Sequence, residues 1–114
     1  MKFNFRYKNK RIKINVKVCN SFKKFLGLMF ARKKKARALL FDFEKPSKIA
    51  IHSWFVFFPF VAIWLDNKNK VIDLRVVRPF RFYVSIKKPF SKLVEIPINR
   101  RYRGVVKLLS SVPK

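Results

Sequence analysis

Few residues in this sequence could do chemistry, and their types narrow what that chemistry could be. His52 is the only histidine and Cys19 the only cysteine. A thiol and an imidazole can form a nucleophile–base couple. A lone cysteine more commonly packs as a small hydrophobe, however, and Cys19 continues the edge of an expected strand. One Cys and one His cannot complete a tetrahedral zinc site without carboxylates. The five acids, Asp42, Glu44, Asp66, Asp73 and Glu95, include no evident catalytic pair. Gly27 and Gly104 are the only glycines, so a glycine-rich phosphate loop is excluded. No catalytic residue, metal or cofactor is therefore expected. His52 keeps one role open: beside Trp54 it could orient a ligand or titrate near neutral pH. The ordinary alternative is a core histidine satisfied by a backbone carbonyl. His52 and Trp54 are the ligand-binding candidates.

The abundant chemistry is cationic. Twenty-nine Lys and Arg face five acids, a formal net charge of +24. Such a field attracts polyanions, whether nucleic acid, anionic lipid or polyphosphate. The plain alternative is a compositional lysine bias on solvated faces. The polyanion-binding candidates are Arg32, Lys33, Lys34, Lys35 and Arg37, then Arg78, Arg81, Lys87 and Lys88, and finally Arg100, Arg101 and Arg103. Sixteen bases precede Ile49 and thirteen follow Asp66, which gives no asymmetry to orient a membrane span.

The elements that must position these residues are organised around Ile49–Asp66. Seventeen residues there, 49–65, carry no formal charge, and the stretch holds His52 and both tryptophans. As one helix it would run about 25 Å, short of the roughly 30 Å hydrocarbon core of a membrane. Pro59 would also break its hydrogen bonding. Aromatic and β-branched content favours strands. The reading is two adjacent central strands, 50–57 and 60–65, buried on both faces. A membrane-inserted or membrane-surface protein is the competing interpretation.

Around this block the pattern is mainly β. Residues 2–18 alternate apolar and basic side chains and predict a hairpin turning near Asn9-Lys10. Asn20 or Ser21 caps a short helix that Gly27 ends. Leu39, Phe41 and Phe43 mark a strand over 38–43, and Glu44–Ser47 reads as a turn. Asp66–Asn69 has turn composition. Strands are expected over 70–78, 80–84 and 92–96, with a turn at Lys87–Pro89. Val105–Leu109 fits either strand or helix. The sum is one domain over 1–114, a compact β-barrel or sandwich of about seven or eight short strands with one short helix. Nothing at the N-terminus reads as a signal peptide, and the lone cysteine fits a reducing cytoplasm.

Four motifs occur in a familiar order: Gly27-Leu28-Met29-Phe30, Leu39-Leu40-Phe41-Asp42-Phe43, Ile51–Asp66 with Val71, and Leu93-Val94-Glu95-Ile96-Pro97. Over about residues 12–97 the chain resembles domain-of-unknown-function family 192, also called uncharacterised protein family 0127. It is most similar to the short archaeal branch, where His52, Trp54, Phe55, Val56, Phe58 and Pro59 stand for a His-x-x-Phe-Phe-Val-x-Phe-Pro pattern. The resemblance implies a mostly-β barrel or jelly-roll-like domain and brings no known activity. Val61 stands where the family carries an acid, and no glycine follows the Glu-x-Pro element. Residues 98–114 read as a basic extension. The expected function is a non-enzymatic binding module presenting a cationic surface to nucleic acid or another polyanion. The alternative is a small-ligand-binding or hydrolytic domain with a pocket at His52 and Trp54.

Overall fold

The computed structural model describes residues 1–19, 34–47, 56–80 and 84–111. The strict alternation at the N-terminus builds the expected hairpin, β1 (Lys2–Tyr7) and β2 (Lys10–Cys19). Phe3 opposes Ile14 and Phe5 opposes Ile12, so the apolar residues share one face while the bases between them stay in water. Lys8 (φ 47°) and Asn9 (φ 67°) both lie in the left-handed region, the geometry a two-residue loop needs to match strand twist.

β3 (Ala38–Ser47) runs parallel to β2 and antiparallel to β6 (Phe90–Pro97). β4 (Phe60–Leu65) and β5 (Val71–Val77) form a hairpin around the Asp66–Asn69 turn. Asp66 Oδ1 accepts from the backbone N–H groups of Lys68 (2.8 Å) and Lys70 (2.9 Å), which fixes that turn. The strand order is β1-β2-β3-β6-β4-β5. The sheet curls into a half-barrel until its first and last strands meet, where the Arg6 N–H donates to the Asn69 carbonyl at 2.8 Å. A parallel bridge between Arg6 and Lys70 completes that contact.

A core cluster covers each face of the sheet, so β4 is dry on both faces throughout and β6 is so from Leu93 to Pro97. Every residue from Phe60 to Leu65 is buried. One face gathers Phe5, Ile14, Leu40, Ile63 and Val94 with side chains from all six strands. The other face gathers Phe41, Phe58, Phe60, Trp64 and Leu93. The run Val105–Leu109 is helical: a 3-10 turn at Arg100–Tyr102 leads into α1 (Arg103–Ser111), whose Leu109 joins the first core.

Several expectations change. β4 pairs along its whole length with β5 on one side and β6 on the other, so 50–57 is not its neighbour. Val56 and Phe57 belong to no strand, and the rest of that segment lies outside the described residues. Glu44–Ser47 is not a turn; β3 continues through it with a register shift between Asp42 and Ser47. The 80–84 strand is not formed at its ends, where Phe80 sits in a turn and Val84 makes an isolated bridge. Val18 is exposed because β1 covers β2 only as far as Asn15, while buried Cys19 turns into the second core. Six strands therefore stand among the described residues. The short helix expected after Asn20 lies outside them. No helix of the described residues is long and apolar enough to cross a membrane, and the second half of the central block is strand.

Candidate functional site

The turn before α1 brings together bases that the sequence keeps far apart. Asn99 caps it, its Oδ1 accepting from the Tyr102 N–H at 3.3 Å while its Nδ2 donates to the Ala36 carbonyl at 3.1 Å. The Tyr102 hydroxyl accepts from the Ala38 N–H at 2.7 Å and donates to the Asn15 carbonyl at 3.4 Å. These bonds tie the 99–102 turn to the start of β3 and to β2. Arg37 and Arg101 consequently line one open cleft of about 240 Å³, together with Met1, Asn15, Val16 and Tyr102. No acid lines it. Arg100, Arg101 and Arg103 stand at the amino end of α1, and no acid occupies the first turn of either helical element. A helix N-terminus carries partial positive charge, so cations there repel it, typically by 0.3–1 kcal/mol each. The local field is uncompensated.

The other expected cations divide. Lys34 and Lys35 are exposed in a turn preceding Arg37. Arg78 is exposed just past β5. Leu39 opposes Glu95, while Phe60 opposes both Pro97 and Val77, so Arg37 and Arg78 flank the same end of the sheet. Lys87 and Lys88 are exposed ahead of Phe90, which opposes Ser47 at the other end. The cationic positions thus form no single patch. Arg32, Lys33, Arg81, His52 and Trp54 lie outside the described residues.

A second polar feature escaped the sequence reading. Glu95 is buried at 5% exposure, opposite Leu39 of β3 and Ala62 of β4. Burial alone pushes its carboxyl up to about 8, and among the described residues no hydrogen bond or ion pair reaches it. Its diagonal neighbour Trp64, opposite Leu93, leaves a buried indole N–H without an acceptor. Arg75, opposite Ala62, places its guanidinium carbon 5.7 Å from the Trp64 ring centre. It is held at the rim by Asp73 (Nε to Oδ2, 3.1 Å) and the Ser85 carbonyl (3.0 Å). A carboxyl kept neutral can donate and accept. The signal in the sequence was a lone acid inside the apolar run Leu93–Pro97. Cys19 is buried, its thiol directed to the Lys17 carbonyl at 3.8 Å. Among the described residues no three His, Cys, Asp or Glu cluster as metal ligands.

Comparison with known proteins places this architecture. A UPF0127 protein of Pyrococcus furiosus is 35% identical over 104 residues, covering 90% of this chain and 84% of that protein. A UPF0127 protein of Pyrococcus abyssi is 30% identical over 82 residues, 72% of this chain and 69% of its own. A crystal structure from Sinorhizobium meliloti 1021, of a protein whose assignment as a transcription regulator is provisional, superposes with a TM-score of 0.75. It covers 96% of this chain and 84% of that one at 16% identity, a likeness of fold alone. The DUF192 model, described as Uncharacterized ACR, matches residues 4–106, and the chain belongs to that family.

Proposed function

We infer that this protein is a binding module for polyanions, nucleic acid among them, and that its contact surface centres on the Arg37–Arg101 cleft. One observation carries the reading: two arginines from distant parts of the chain converge on a cleft without an acid, at the amino end of a helix. Such an arrangement costs stability in the free protein and is relieved when an anion binds. The formal charge of +24 supplies the long-range attraction that steers a polyanion to it.

The test is the salt dependence of binding to a mixed-sequence duplex. Each phosphate contact contributes a slope of roughly −0.9 in log K against log salt. Neutralising Arg37 and Arg101 together, as Arg37→Gln/Arg101→Gln, should flatten the slope by about two units. Lys10→Gln/Lys68→Gln, on exposed positions at the far end of the hairpins, should flatten it by less. Equal losses from the two pairs would remove the cleft as a site and leave only a diffuse field.

A further inference from the structure

The cleft between Arg37 and Arg101 is small, and its polar groups are unevenly committed. The Tyr102 hydroxyl is already used, accepting from the Ala38 N–H and donating to the Asn15 carbonyl. The Val16 N–H is used as well, donating to the Met1 carbonyl at 2.7 Å. The two guanidinium groups are not. Both arginines are exposed, and neither has an ion-pair or hydrogen-bond partner among the described residues. An arginine in a protein does not shed its proton, so the cleft holds two fixed positive charges and no acid. Each guanidinium carries five N–H donors in a planar fork that meets a phosphate two bonds at a time.

These properties discriminate among anions. A phosphate inside a nucleic-acid strand is a diester with a single negative charge and two unesterified oxygens. A phosphate at the end of a strand is a monoester, with about −1.5 to −2 charge at pH 7 and three acceptor oxygens. A carboxylate brings one charge and two oxygens. Of the three, the monoester matches two unpaired forks best, in charge and in acceptors. Size points the same way. At about 240 Å³ the cleft is smaller than the roughly 300–1,000 Å³ of pockets that enclose a drug-sized ligand. The one aromatic residue lining it, Tyr102, is buried, which leaves no open ring for a base to stack on. A phosphate enters and the rest of the strand stays outside, where Lys34 and Lys35 are exposed in the turn just before Arg37.

We propose that the Arg37–Arg101 cleft holds a terminal phosphomonoester, and that the protein binds nucleic-acid strands by their phosphorylated ends in preference to their interior. This rests on the polyanion reading of the same cleft and narrows it to one chemical group. A free phosphate carries that group too, but lacks the following phosphates that Lys34 and Lys35 are placed to meet.

The experiment measures fluorescence anisotropy of one internally labelled, mixed-sequence single strand at fixed salt, with a 5′-phosphate, a 3′-phosphate, or hydroxyls at both ends. At least one phosphorylated form should bind about tenfold or more tightly than the hydroxyl form, the value of one hydrogen-bonded charge pair. A phosphomonoester loses its second proton near pH 6, so this ratio should rise between pH 5 and pH 7, while titrations of the protein act on both forms and cancel. Arg101→Lys and Arg37→Lys keep the charge and lose the fork, so each should cut the ratio to roughly threefold or less at an unchanged melting temperature. Lys10→Gln should leave the ratio as it is. A parent ratio near one, a ratio indifferent to pH, or a ratio that both lysine variants preserve would overturn the proposal. In those cases a hydroxyl strand whose salt slope still depends on the two arginines would leave the polyanion reading standing, whereas no binding by any form would remove both. Competition by inorganic phosphate as strong as that of the phosphorylated strand would overturn the preference for strands and make free phosphate the occupant.

Discussion

Asn99 and Glu95 are the buried polar side chains among the described residues, and they are treated oppositely. Asn99 uses both ends of its amide, towards Tyr102 and Ala36. Glu95 has the hydrophobic Leu39 and Ala62 across the sheet on either side, with Arg75 beyond Ala62 held by other partners. Its carboxyl ionises near 4.5 when exposed and near 8 in the fold. Between those values the folded state keeps a proton that the unfolded chain has released. Stability is therefore fully present below about 4.5 and is lost as pH rises towards 8, by up to about 1.4 kcal/mol per pH unit. Glu95→Gln removes the titration. Urea midpoints of parent and variant should agree near pH 4 and separate progressively above pH 5, the variant being more stable. Curves that stay parallel would mean that the carboxyl reaches solvent or a cation. Half of this was legible: a lone acid in an apolar strand marks an unusual position, but burial without a partner depends on residues brought from β3 and β4.

At the scale of elements, legibility followed water. The β1–β2 hairpin has one wet face, so its alternation located both strands and the dry side of each. β4 is dry on both faces throughout and β6 from Leu93 to Pro97, and periodicity then says nothing about which strand lies beside which. Adjacent strands in the sequence were expected to pair, whereas β4 has β6 as a partner some thirty residues on. Pro46 suggested a turn, yet β3 continues past it, tolerable because β2 supplies no described partner beyond Phe41. The cleft was invisible for the same reason: Arg37 and Arg101 are 64 positions apart, and hydrogen bonds from Asn99 and Tyr102 unite them. Loop chemistry gives the test at this scale. Lys8 and Asn9 both adopt left-handed backbone, where Asn-Gly is the preferred pair. Lys8→Asn/Asn9→Gly should stabilise by about 0.5–1 kcal/mol, seen as a higher urea midpoint at unchanged slope. No gain would mean that the hairpin loop is held open by contacts elsewhere.

For the whole molecule, self-repulsion is the dominant long-range term. With five acids against 29 bases, few cations can be neutralised internally, and the exposed Arg75–Asp73 pair is worth little. Screening acts within about 10 Å at 0.1 M salt. Raising sodium chloride from 20 to 500 mM, with buffer and pH fixed, should stabilise the fold by at least about 1 kcal/mol, roughly 4 °C in Tm for this size. A flat or falling Tm would show that the bases are spaced widely enough to ignore one another. The same titration bears on binding, since salt that steadies the free protein weakens its hold on a polyanion.

The position of β6 in the sheet has a consequence for how the chain folds during synthesis. It is the last strand made among the described elements, yet it lies between β3 and β4. Two hairpins can close early, β1–β2 and β4–β5, each from neighbouring residues. Until Pro97 has left the ribosome, β3 and β4 each present an open, hydrophobic edge to water or to another nascent chain. The final insertion joins residues more than fifty positions apart, such as Leu39 and Glu95, which makes it the slow, high-contact-order step. A cell making this protein quickly would depend on holdase chaperones during that interval. Chains stalled before residue 90 should be the species that aggregate.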